Sequence, residues 1–198
     1  IRGCPGHGTF RQGGYRDGAG MPPDAGSGNT ERIMAQIIDG NRIAARVIEE
    51  VAGKSRSFFV KHGRVPGLAV ILVGEDPASS VYVRMKIRDC ARCGIESFSY
   101  TLPEKTATGE LLDLIGALNR DDRVDGLLVQ LPLPAPIDTR RVLDAIDPAK
   151  DVDGFHPANV GRLVRGDKHA LLPCTPSGVM RMLDDSGICL LYTSDAAD

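Results

Sequence analysis

The chain has 198 residues, 42% of them hydrophobic, which is enough for one domain with a core or for one domain plus part of another. Lys+Arg 24 against Asp+Glu 26 leaves a formal net charge of −2, so no global field recruits nucleic acid or an anionic membrane surface. No apolar run reaches the roughly 18 residues a membrane span needs, and five scattered cysteines read as reduced thiols of a cytoplasmic compartment rather than a disulfide framework.

Residues 1–33 are crowded with Gly, Pro and polar side chains and show no apolar periodicity. Such a stretch buries too little surface to offset its ordering entropy, so a disordered or non-native leader is expected there. It lacks the apolar segment of a secretory signal, and Asp17, Asp24 and Glu31 speak against an acid-poor transit peptide. The protein proper is expected to start at Met34.

From Met34 a helical pattern sets in, with Ile43, Val47, Ile48 and Val51 on one face. "GLAVILVG" (67–74) is a short apolar run between glycines, which predicts a strand buried on both faces. "DPASSVYVRMKIRDCARCG" predicts a helix with Asp76 as N-cap, Pro77 at the first helical position and Gly94 at the end. On it, Val83, Ile87, Cys90 and Ala91 are expected to face the sheet. A strand follows over 95–103, a helix from Thr108, a third strand in "VDGLLVQLPLP", a short helix over 138–146 and another starting at Thr175-Pro176. Strand, helix, strand, helix, strand at this spacing predicts an α/β fold, a parallel three-layer sheet built from βαβ units.

Several side chains in this frame are suited to chemistry. Tyr82 and Lys86 stand four residues apart and share a helix face at the border of the buried stripe. Taken alone, the pair reads first as a snorkelling lysine beside a half-buried tyrosine. Gln130 leaves the third strand at its carboxyl end, where open parallel sheets bind ligands, and the prolines after it stop the strand; a residue capping the turn is the plain alternative. In "KDVDGFHPANVGRL" the two carboxylates, Asp151 and Asp153, point in different directions. One is suited to capping the turn and the other to accepting hydrogen bonds from a ligand. An EF-hand is ruled out, since the loop lacks further oxygen ligands and a glutamate at its twelfth position. His156 suits a satisfied structural histidine as well as a participant. Cys90 and Cys93 form a C-x-x-C late in a helix, away from the N-terminal end that stabilises a thiolate, and no second pair completes a zinc site. They are expected to be two buried helix thiols.

"VGEDPASSVYVRMK", "DGLLVQLPLP", "KDVDGFHPANVGRL" and "PCTPSGV" occur in this order. Together they resemble the signature blocks of bifunctional methylenetetrahydrofolate dehydrogenase/methenyltetrahydrofolate cyclohydrolase, over about residues 34–188. The resemblance implies NADP-dependent oxidation of methylenetetrahydrofolate, with NAD in some members, and hydrolysis of the methenyl product to formyltetrahydrofolate. It implies that Lys86, Gln130 and Asp153 are catalytic, Lys86 as the reacting amine, Gln130 as its partner and Asp153 as the acid holding the pterin ring. Tyr82 matches the aromatic residue against the folate, and Val83, Val129 and Leu131 complete the substrate-binding set. Ser79 or Ser80 supports the helix start. Tetrahydrofolate derivatives are the implied partners, without nucleic acid or membrane, and a homodimer is usual for the intact protein.

The resemblance divides the chain into a folate-binding catalytic domain over 34–174 and a linking helix over 175–188. A Rossmann-type NADP domain carrying G-R-S-x-x-V-G is implied next, but no such block occurs in the sequence. The second domain is therefore expected to be essentially absent, with residues 189–198 a foreign tail and dehydrogenase turnover impaired. A folate-binding module without catalysis and a generic α/β domain acting through protein contacts are the competing readings.

Overall fold

The computed structural model describes residues 37–188, so the expectations for the leader, Met34, Cys4, Cys189 and the tail lie outside the described residues. The elements run α1 (Gly40–His62), β1 (Gly67–Val73), α2 (Pro77–Cys93), β2 (Glu96–Leu102), α3 (Thr108–Asn119), β3 (Gly126–Val129), α4 (Thr139–Asp144), α5 (Pro157–Val164) and α6 (Cys174–Asp185). Local chemistry explains most of the boundaries. The Asp76 carboxylate accepts from the Ser79 backbone N–H and starts α2, Pro77 occupies its first turn, and Gly94 closes it in the left-handed region. Asp39 caps α1 in the same way through Arg42 N–H, and Gly63 ends it.

All three strands are parallel, in the order β2-β1-β3. From β1 the chain steps to one neighbour, then crosses back past β1 to the other. Right-handed crossovers in opposite directions put their helices on opposite faces of the sheet. Ala69, Ile71 and Val73 of β1 accordingly pack with Leu111, Ile115 and Leu118 of α3 and with Val142 of α4. Val70 and Leu72 pack with Val83 of α2 and Leu128 of β3 on the other side. The expected three layers are present, and α1 lies outside α2, tied to it by a hydrogen bond from Ser55 Oγ to Gly94 O at 2.8 Å. Ile115 is 0% exposed. Ile115→Ala is expected to cost about 2–5 kcal/mol of unfolding free energy, read from the urea midpoint.

Two expectations are corrected here. Ala91 is exposed and Cys93 takes its place in the buried stripe, which runs Ser79, Val83, Cys90, Cys93 as the 3.6-residue period dictates. Helix α5 was not anticipated within the "KDVDGFHPANVGRL" loop, and α6 begins one residue before Thr175. Cys90 and Cys93 are buried as expected, and burial pushes both thiols up. Among the described residues no helix is long and apolar enough to cross a membrane.

Candidate active site

The reversal of strand order opens a crevice beyond the carboxyl ends of β1 and β3, the place where sheets of this kind bind ligands. Gln130 is the first residue past β3. Its backbone N–H donates to Ile71 O at 2.8 Å, which holds it against the end of β1. Its side-chain Nε2 donates to Leu131 O at 2.9 Å, which fixes the amide orientation and turns Oε1 outward. Lys86, on α2 above the same edge, donates from Nζ to that Oε1 at 3.1 Å. The half-buried ammonium group is thus held by a neutral partner.

The second carboxyl-bearing loop separates the two aspartates cleanly. Asp151 is 2% exposed and accepts from the backbone N–H groups of Gly154 at 3.1 Å and His156 at 2.9 Å, and from Asn159 Nδ2 at 2.9 Å. It organises the turn. Asp153 accepts no hydrogen bond from any described residue. Burial pushes its carboxyl up, the Lys86 charge draws it down, and Asp151 adds to the upward push. His156 proves to be a cap, its Nδ1 accepting from Ala158 N–H at 3.1 Å to start α5.

Lys86, Val129, Gln130, Leu131 and Asp153 line one recess of about 290 Å³. An adjoining cavity of about 650 Å³ shares Lys86 and Asp153 and runs beneath α2 past Cys90 and Cys93. Five of the seven expected site residues therefore converge. Tyr82 stays 59% exposed on the surface of α2, one turn before Lys86, and lines neither space. Val83 faces the sheet as the helical spacing predicts, and at 5% exposure it belongs to the core under α2 and lines neither space.

Residues that the sequence reading passed over complete the walls. Phe155 and the first turn of α6, Cys174 to Pro176, border the smaller recess. Cys174 Sγ donates to Val152 O at 3.2 Å, and its thiol is pushed up by burial and by the Asp153 charge. The "PCTPSGV" block was the available signal, read only as a helix start and a motif. Among the described residues no three His, Cys, Asp or Glu side chains converge as metal ligands.

Comparison with known proteins points to one family. The family model "Tetrahydrofolate dehydrogenase/cyclohydrolase, catalytic domain" matches residues 38–153. Bifunctional protein FolD of Magnetococcus marinus is 57% identical over 155 residues, covering 78% of this chain and 54% of that protein. The crystal structure of the bifunctional enzyme FolD, methylenetetrahydrofolate dehydrogenase/cyclohydrolase, from Campylobacter jejuni matches with a TM-score of 0.73 and 48% identity. It covers 76% of this chain and 53% of its own. The Trypanosoma brucei dehydrogenase-cyclohydrolase, complexed with NADP cofactor and inhibitor, matches with a TM-score of 0.74 and 37% identity, covering 77% and 52%. The chain spans about half the length of the curated relatives it matches.

Proposed function

The chain belongs to the tetrahydrofolate dehydrogenase/cyclohydrolase family, and from that premise we propose that its crevice binds the pterin end of a tetrahydrofolate and supports methenyltetrahydrofolate hydrolysis. The observation that carries this reading is the 3.1 Å hydrogen bond from Lys86 Nζ to Gln130 Oε1, with the Asp153 carboxylate, unpartnered among the described residues, lining the same recess.

The chemistry follows from the charges. A methenyl substrate is a cation open to attack by water, and Lys86 is placed as the general base that accepts a proton from that water. Water adds to the methenyl carbon and Lys86 takes one of its protons; the second passes from the new hydroxyl to the ring nitrogen as that C–N bond breaks, which leaves the formyl product. Gln130 orients the amine without adding charge. Asp153 suits the pterin edge, whose adjacent N–H donors match two carboxylate oxygens. Val129 and Leu131 supply the flanking wall, and the exposed Tyr82 ring, one turn before Lys86 on α2, is of the kind that attracts a flat cationic ligand.

Oxidation of methylenetetrahydrofolate with NADP as hydride acceptor belongs to the same reading, supported by the relative that carries NADP. The described residues offer that dinucleotide no cradle. The turn from β1 into α2 has one glycine, Gly74, and the turn from β2 into α3 has none. The hydrolytic step is the one that these side chains are equipped to perform. A cytoplasmic homodimer completes the proposal: the free thiols Cys90, Cys93 and Cys174 support a reducing compartment, and family membership alone supports the dimer.

Asp153→Asn tests the binding role. The folded carboxyl titrates above its ordinary 3.8. Between that value and the raised one the folded state binds more proton than the unfolded, so stability falls as pH rises through this window. Burying the charged form of Asp153 is a cost. Asp153→Asn is expected to raise the thermal midpoint of the ligand-free protein at pH 7. The same substitution is expected to weaken tetrahydrofolate binding about 10-fold or more in calorimetric titration, since a hydrogen bond to a charged group is lost. Unchanged affinity would remove Asp153 from the site.

A further inference from the structure

Asn159 lies on α5, touches neither cavity wall, and is 0% exposed. Its Nδ2 donates both hydrogens, to Pro148 O and to Asp151 Oδ2, each at 2.9 Å. Both partners are acceptors, so the amide has one admissible orientation. That orientation leaves Oδ1 buried with no partner among the described residues. An orphaned buried oxygen is a cost, so the amide's presence is explained by what its nitrogen holds.

It holds Asp151, and through Asp151 the whole of the short span that carries Asp153. One carboxylate oxygen of Asp151 accepts from Gly154 N–H, the other from His156 N–H and Asn159 Nδ2. On its other side Asp151 is bridged to Leu127 of β3. Gly154 sits at φ +69° against the backbone of Leu171 to Pro173. Asp153 is therefore suspended between two points that the Asp151–Asn159 clasp fixes, with Lys86, Asp151 and Cys174 as the titratable groups around it.

We infer that Asn159 is a positioning residue: by fixing Asp151 it sets the placement of the Asp153 carboxylate across the recess from Lys86. The inference rests on the proposed function for its consequence in binding, but its geometry stands separately. A double-mutant cycle separates positioning from general loosening. Asn159→Ala is expected to weaken tetrahydrofolate binding about 10-fold, and to have no further effect once Asp153→Asn has removed the carboxylate. Additive losses would overturn the inference.

A second readout needs no folate. Carbon NMR of the Asp153 carboxyl should show its raised titration in the parent protein and a return towards 3.8 in Asn159→Ala. Signals from the β1 and α3 core should stay in place. An unmoved Asp153 titration overturns the inference whatever folate does. A moved titration in a protein that binds no tetrahydrofolate sustains the positioning and defeats the proposed function instead. If Asn159→Ala fails to fold, Asn159→Leu, close in volume but without the amide donor and leaving the Asp151 charge in place, carries both measurements.

Discussion

Lys86→Gln is expected to lower methenyltetrahydrofolate hydrolysis by about 10²–10⁴-fold, the range that a positioned general base supplies, while tetrahydrofolate affinity changes little. The amine lies on the same recess as Gln130 and Asp153, and its one hydrogen-bonding partner among the described residues is the neutral Gln130 Oε1. Glutamine at this position keeps polarity and much of the side-chain length but cannot take a proton. The Gln130 amide is pinned separately by Leu131 O at 2.9 Å, so the recess should keep its shape without the lysine. Loss of the methenyl chromophore, corrected for spontaneous hydrolysis, measures the step. Equal rates for the parent chain and Lys86→Gln would leave only binding.

The second large effect is at Gly154. An alanine Cβ there would stand 2.8 Å from Leu172 C and from Pro173 N, backbone atoms that cannot swing aside. The position also sits at φ +69°, where a side chain costs about 1–2 kcal/mol. Overpacking adds about 1–3 kcal/mol, so Gly154→Ala is expected to destabilise the fold by about 2–5 kcal/mol in urea titration. The displaced 171–173 segment leads straight into Cys174 and α6, so tetrahydrofolate affinity should fall as well. Gly63→Ala is the control: φ is +70° but nothing lies within 4 Å of the added carbon. It should show the backbone cost alone and leave binding untouched. Equal destabilisation by the two substitutions would show that contact with Leu172 and Pro173 contributes nothing.

Much of this architecture can be read from local signals. The apolar run between Gly67 and Gly74 is β1, and Asp76, Pro77 and Gly94 bound α2 as capping chemistry requires. Helix α5 is only eight residues long, and its start signal, His156 before Pro157, sits inside a turn-rich stretch that reads as a loop, although it is of the kind that Asp76 and Pro77 give α2. Tyr82 shows a different limit. Periodicity turns Val83 towards the sheet, where it is buried, but it sets no depth for Tyr82 at the border of the stripe, and the docking of α2 leaves that ring in solvent. The choice between Asp151 and Asp153 was open for a similar reason. It depends on which carboxylate meets the N–H groups of Gly154 and His156, a matter of loop closure. That Lys86 and Gln130 face one another across 44 residues was legible only through the family motifs.

The β2-β1-β3 order also dictates when this constellation comes into being. A chain that has joined only β1 to β2 has made its nearest-neighbour pairing yet has no Gln130 to offer Lys86. That partner arrives when β3 zips onto the far side of β1, a contact of longer range with a larger closure entropy. Ligand capture consequently reports completion of the sheet, and a half-assembled chain carries a lysine with nothing to aim it.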